Sequence, residues 1–116
     1  MNSQEKLEQI FRTVDVIKDS LNNAKQVQVL DDNAGIKIET IGGENLRLKF
    51  DATKQTLKKQ IGKGSFETIC NCLTGLYFNA YMESKSILYR VEFDGKEQVR
   101  GYLFLENLQE LTEVEN

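Results

Sequence analysis

The apolar residues of this chain change their spacing once, near residue 25, and that change limits the available folds more than any other feature. Before it, Leu7, Ile10, Phe11, Val14, Ile17, Leu21 and Ala24 recur at intervals of three and four, which predicts one apolar stripe on a helix over residues 4–23. Asn2 followed by Glu5 fits a capping box at its start, and Asn22 with Asn23 suits its end. The opposite face, with Glu8, Arg12, Asp15 and Asp19, is ordinary solvated surface. From Gln26 the interval becomes two: Val27 and Val29, then Ile36, Ile38 and Thr40, then Leu46, Leu48 and Phe50. Turn residues at 31–35 and 42–44 separate these runs, so a three-stranded meander is predicted. Matching the apolar faces of its second and third strands sets Ile38 opposite Leu48 and Thr40 opposite Leu46 across an odd-numbered loop. Lys37, Glu39, Arg47 and Lys49 then share a wet, mostly basic face.

Beyond the meander the pattern is less clean. In residues 51–61 Leu57 and Ile61 suit a helix or a strand, and Phe50 with Leu57 flanking Asp-Ala-Thr-Lys favours a hairpin and a fourth strand, which adds Lys58 to the basic face. Phe66, Ile69, Cys70, Leu73, Leu76, Tyr77, Ala80 and Tyr81 fit a second helix over residues 66–83, apolar almost all round, with Gly75 in its middle and Ser65 as its cap. Ile87, Tyr89, Val91 and Phe93 lead to an Asp94-Gly95 turn and return through Val99, Gly101, Leu103 and Leu105. On this hairpin Leu88, Tyr102 and Phe104 are apolar where solvent-facing residues are expected, which marks a position inside the sheet or a contact surface. Leu105, Leu108 and Leu111 continue at helical spacing into Glu110, Glu113 and Glu115, read as a short fraying helix in an acidic segment 106–116. The resulting expectation is a single α+β domain over residues 1–116. A mainly antiparallel sheet of five to six strands, meander plus C-terminal hairpin, packs against an N-terminal helix and a long central helix.

Composition narrows function mostly by what is missing. The 116 residues include no histidine, which removes histidine bases, Ser-His-Asp and Cys-His catalysis and imidazole metal ligands together. The two cysteines, Cys70 and Cys72, are too few for a structural zinc site and are read as reduced core residues of the second helix. Asp15, Asp51, Glu67 and Glu92 show no spacing that pairs them as acid and base. Neither an enzyme nor a cofactor is therefore expected. No run approaches the ~18 apolar residues of a membrane span, and the amino terminus lacks the pattern of a secretory signal, so the expected compartment is the cytoplasm.

The segment Gly62-Lys63-Gly64-Ser65 invites comparison with a phosphate loop, but Leu57 stands where a Walker A loop needs its first glycine. What remains is an anion site at the start of the second helix, or simply a connector with a capping serine. The stronger surface feature is charge. Residues 45–65 carry six basic residues and one acidic, within a chain of net charge -3. Arg47, Lys49, Lys58, Lys59 and Lys63 are the candidate contacts for a polyanionic or acidic partner. The expected function is binding of another protein, as an inhibitor, immunity factor or chaperone-like adaptor. Arg47, Lys49, Lys58, Lys59 and Lys63 would steer the partner, and Leu88, Tyr102 and Phe104 would add apolar contact. A homodimer is expected from the surplus apolar surface. The alternative is a nucleic-acid- or anion-binding module using segment 47–63, which ranks second because no exposed aromatic is expected on the basic face. The order of helix, strands, long helix, hairpin and short terminal helix resembles that of class I chaperones of type III secretion, in element order alone and in no residue motif. Small immunity proteins and phage inhibitors of host enzymes are similar in being short, acidic, cytoplasmic and without catalytic residues.

Overall fold

A computed structural model describes residues 2–113. Within them lie one helix, α1 (Ser3–Leu21), and nine strands: β1 (Ala24–Leu30), β2 (Gly35–Thr40), β3 (Asn45–Asp51), β4 (Thr56–Ile61), β5 (Glu67–Cys70), β6 (Leu73–Tyr81), β7 (Ser86–Phe93), β8 (Glu97–Phe104) and β9 (Glu110–Glu113). The strands form a six-stranded sheet of order β5-β4-β3-β2-β1-β9 and a three-stranded sheet of order β6-β7-β8. The architecture is mainly β with a single helix, which corrects the expected α+β arrangement around a long central helix.

Helix α1 begins as the capping pattern requires. The Asn2 side-chain oxygen accepts from the Glu5 N–H at 2.8 Å, and its amide donates to the Glu5 carboxylate at 3.0 Å. Asn23, at φ 62, turns the chain out of the helix and into β1. The buried side is rotated from the predicted stripe: Thr13, Ile17, Ser20 and Leu21 are buried, whereas Leu7 and Phe11 are 50% and 60% exposed. Thr13 can be buried because its hydroxyl donates to the Gln9 carbonyl at 2.8 Å.

The meander forms as four strands, and residues 56–61 are a strand. Phe50 pairs with Leu57, and the Asp51 carboxylate accepts the Lys54 N–H at 3.1 Å to close that hairpin. Between β2 and β3 the register differs by two residues from the expected one, with Ile36 opposite Leu48 and Ile38 opposite Leu46. Thr40 is the reason. Its N–H donates to the Glu44 carbonyl at 2.9 Å and its hydroxyl accepts from the Glu44 N–H at 3.1 Å, while Gly43 takes φ +85. Thr40 therefore closes the loop instead of facing Leu46. The apolar face survives the shift because a two-residue slip keeps every side chain on its side.

Residues 66–83 hold no helix. They form β5, a two-residue connector in which Cys72 adopts φ 64, and β6. Along β6 Leu76 and Phe78 are buried while Tyr77, Asn79 and Tyr81 face outward, a period of two that the apolar residues on both faces conceal in the sequence. The Leu73 N–H donates to the Gln55 carbonyl at 3.0 Å and the Phe78 N–H to the Asn33 carbonyl at 2.7 Å. β6 thus runs across the turns at one end of the larger sheet and joins the two sheets. With the central helix gone, the likeness in element order to type III secretion chaperones goes too.

The Asp94-Gly95 turn is formed as expected, with φ 53 and 66, and Val91 opposite Val99, Tyr89 opposite Gly101 and Ile87 opposite Leu103. The expected terminal helix is replaced by β9, which pairs parallel to β1 from Gln26–Glu110 to Val29–Glu113. Leu105 and Leu108 are buried, and Glu115 of the acidic segment lies outside the described residues. The core is one continuous cluster running from Ile17 and Leu21 through Ile36, Ile38, Leu48 and Leu57 to Phe78, Ile87, Val91 and Phe93. Among the described residues no helix is long and apolar enough to cross a membrane.

Candidate interaction surfaces

The basic residues divide between surfaces according to strand register. Lys37 stands opposite Arg47, and Lys49 opposite Lys58, so these four share the outer face of the six-stranded sheet. Lys59 stands opposite the fully buried Leu48 and therefore lies on the other face, at the sheet margin, while Lys63 occupies the turn after β4. Two of the four outer cations already have acidic partners: Arg47 lies 3.3 Å from Asp31 and Lys58 3.3 Å from Asp51. Such half-exposed pairs contribute little to stability, but they dilute the field seen by a ligand. Phe66 joins this face, its ring centre 5.9 Å from the Arg47 guanidinium and 5.8 Å from the Lys49 ammonium. The sequence pattern assigned Phe66 to a helix core, so the aromatic thought missing from the basic face is present. A shallow open depression of about 500 Å³ on the same sheet is lined by residues that include Gln26, Gln28, Lys37, Glu39, Glu110 and Thr112.

The outer face of β6, β7 and β8 is different in kind. Register sets Asn79, Leu88 and Tyr102 in one row, Tyr81, Ser86 and Phe104 in the next, and Tyr77, Arg90 and Arg100 on the other side. Leu88, Tyr102 and Phe104 are thus brought together, with four further residues that a helix over residues 66–83 would have kept apart from them or that the sequence pattern did not mark: Tyr77, Tyr81, Arg90 and Arg100. The only legible signal for them was the excess of apolar residues on the second hairpin face. Tyr81 and Tyr102 stack with ring centres 6.0 Å apart, Tyr102 and Phe104 meet at 6.3 Å, and the Arg90 guanidinium lies 4.9 Å from the Tyr77 ring. Phe104 is 75% exposed and Tyr102 52%, while Ile87, Tyr89, Val91 and Phe93 fill the core from the opposite face of β7.

The remaining candidates do not assemble. Cys70 is a buried core residue whose thiol burial pushes up, but Cys72 is only half-buried and sits in the connector, so the two do not share a helix core as expected. Gly62–Ser65 links two strands, which removes the helix terminus on which the anion site depended. The Lys54 N–H, and then Lys58, hold the Asp51 carboxyl below its usual range; Glu92 accepts from the Thr74 hydroxyl at 3.0 Å, and Asp15 and Glu67 are exposed apart from them. Among the described residues no three metal-ligating side chains converge. The chain matches no protein family and no curated protein. No match supports the labels inhibitor, immunity factor or chaperone-like adaptor, and the element order behind the last is replaced, since residues 66–83 form strands.

Proposed function

We propose that this protein works without catalysis, by binding another protein through the outer face of β6, β7 and β8. The observation that carries the reading is the contiguous set of Tyr77, Tyr81, Tyr102 and Phe104 with Leu88, Arg90 and Arg100. Tyrosine, phenylalanine and arginine are the residues enriched at interface centres, because they bring large contact area at low conformational cost and hydrogen-bond at their tips. Lys37 and Lys49, for which the described residues contain no acidic partner within ion-pair distance, would speed encounter with an acidic protein. Free thiols suit the reducing cytoplasm as the place of action. The test is recovery of partners from the native host on tagged protein after nuclease treatment. Tyr102→Ala/Phe104→Ala is expected to lose a partner that the wild type retains. Equal recovery by both would refute the reading.

Phe66 between Arg47 and Lys49 favours a second reading, a polyanion site on the outer face of the larger sheet. Oligonucleotide affinity that falls steeply with salt and is lost in Phe66→Ala, but kept in Tyr102→Ala/Phe104→Ala, would promote it.

A further inference from the structure

We infer that β8 is the seam of a symmetric homodimer, two copies pairing their β8 strands antiparallel about Gly101 so that two three-stranded sheets become one of six. β8 ends the order β6-β7-β8, and among the described residues no strand lies beyond it. Proteins that work as monomers blunt such edges with brevity, proline, lysine or a bulge. β8 is neither short nor bulged and holds no proline or lysine: its sequence is EQVRGYLF, it runs for 8 residues, its register with β7 is unbroken, and its charges are confined to Glu97 and Arg100.

Two exposed apolar side chains, Tyr102 and Phe104, stand on this edge strand, and Tyr81 of β6 stacks on Tyr102 across the outer face of the sheet. Helix α1 runs alongside. Near its start Lys6 Nζ lies 3.0 Å from the Glu97 carboxylate, and at its end Leu21 and Asn22 share a cavity with Phe104 and Leu105. Leu7 and Phe11 lie on the flank of the helix opposite Gln9 and Thr13, and Gln9 accepts the Asn71 N–H on the β5 side. A strand added to β8 would extend the smaller sheet over that flank, setting its inward side chains on Leu7 and Phe11.

The self-complementarity of β8, with Arg100 two places from Tyr102 and Val99 four places from Leu103, points to a second copy as the occupant, and its one cation chooses the register. Residues facing each other across an antiparallel two-fold share a sheet face, so only alternate registers are allowed. With Arg100 on the axis, two guanidinium groups confront each other. With Tyr102 on the axis, only residues 100–104 of the strand pair. With Gly101 on the axis, residues 98–104 pair in full: Val99 faces Leu103 of the partner subunit on the inner side. On the outer side Gln98 faces Phe104 of the partner subunit, and each Arg100 lies beside Tyr102 of the partner subunit, a cation against a ring. This arrangement goes beyond binding of another protein and does not depend on it; it would lay two aromatic faces side by side.

Light scattering on the full chain tests the oligomeric state, and cysteine pairs test the seam. In a Cys72→Ser background, Arg100→Cys and Tyr102→Cys are purified separately, then mixed under mild oxidation. The expected result is a dimer in which the mixture forms a disulfide that neither variant forms alone, since 100 meets only 102. Arg100→Glu is expected to weaken the dimer about tenfold by removing two cation–aromatic contacts. As a check needing no substitution, hydrogen exchange of the β8 amides in the wild type should slow as protein concentration rises. A monomer at every concentration overturns the inference. So does a dimer in which Arg100→Cys or Tyr102→Cys cross-links with itself, or in which none of these positions cross-links and β8 exchange is independent of concentration. Tyr102 and Phe104 also lie in the seam, so the dimer is judged from the cysteine pairs and from wild-type exchange alone, whereas host-partner recovery by Tyr102→Ala/Phe104→Ala, read at a concentration where that variant is still dimeric, bears on the proposed function.

Discussion

Gly101→Ala sets two effects of opposite sign against each other, and the packing of one ring decides between them. Gly101 faces Tyr89 across the β7–β8 ladder at ordinary negative φ, so nothing in its backbone requires glycine. On that ground alanine should stabilise by about 0.4–1 kcal/mol, because it leaves the unfolded chain less freedom to lose. But a Cβ at position 101 would stand 2.5 Å from Tyr89 Cε1 and nearer still to Cζ and the hydroxyl oxygen. The ring would have to withdraw by more than about 1 Å to restore van der Waals contact. It has nowhere to go: Tyr89 is 3% exposed and sits in the core with Ile87, Val91 and Phe93. Forcing a methyl into a packed site of this kind costs about 1–3 kcal/mol. The net expectation is destabilisation by about 1–2 kcal/mol, a fall in Tm of roughly 5–10 °C for a chain of this size. Urea denaturation followed by far-ultraviolet circular dichroism measures it, at one protein concentration throughout. The control is Tyr89→Leu, in whose background Gly101→Ala should be neutral or slightly stabilising, giving a coupling of at least about 1 kcal/mol in the double-mutant cycle. A stabilised Gly101→Ala, or the same cost with and without the Tyr89 ring, would refute the argument.

Three further expectations follow from local chemistry. The Asp51 carboxyl is held down by the Lys54 N–H and then by Lys58, so its stabilising contribution is present above the ordinary aspartate range and lost as pH falls through its depressed folded value. Stability titrations from about pH 5 to about pH 2 should lose that acid segment in Asp51→Asn. Burial raises the Cys70 thiol, so it stays protonated near neutrality; its contribution is intact below the ordinary thiol pKa and disappears as pH rises through the raised value. A thiol reagent at neutral pH should therefore label Cys72 first and Cys70 only at the rate of structural opening, and equal rates would contradict the burial. Asn2→Ala removes the side-chain acceptor of the Glu5 N–H and should cost about 1 kcal/mol, whereas Asn2→Asp should restore it, both read from denaturant midpoints.

What the sequence determined by itself is whatever its neighbours along the chain could specify. The Asn2–Glu5 cap, the helix it starts, the alternation from Val27 to Phe50, the hairpin around residues 52–55 and the Asp94-Gly95 turn all depend on residues a few places apart, and all are formed. The candidate site was half legible for the same reason. Alternation marked Leu88, Tyr102 and Phe104 as outward and apolar, and placed Lys37, Arg47, Lys49 and Lys58 on one face. Tertiary structure decided the rest. Residues 66–83 are apolar in both periods, and β6 is a strand because β7 lies beside it and the turns at Asn33 and Gln55 accept its amides. Residues 110–113 become a strand only through the edge of β1, 84 positions away in the Gln26–Glu110 contact, where a helix would leave that edge unpaired. Phe66 reaches the cations of the larger sheet because residues 67–70 form a strand beside β4 instead of a helix, while Lys59 leaves them by its alternation with Lys58 along β4. A strand's backbone groups are satisfied only by another strand, so its identity belongs to the pair; a helix satisfies its own, and its pattern can be read from one segment.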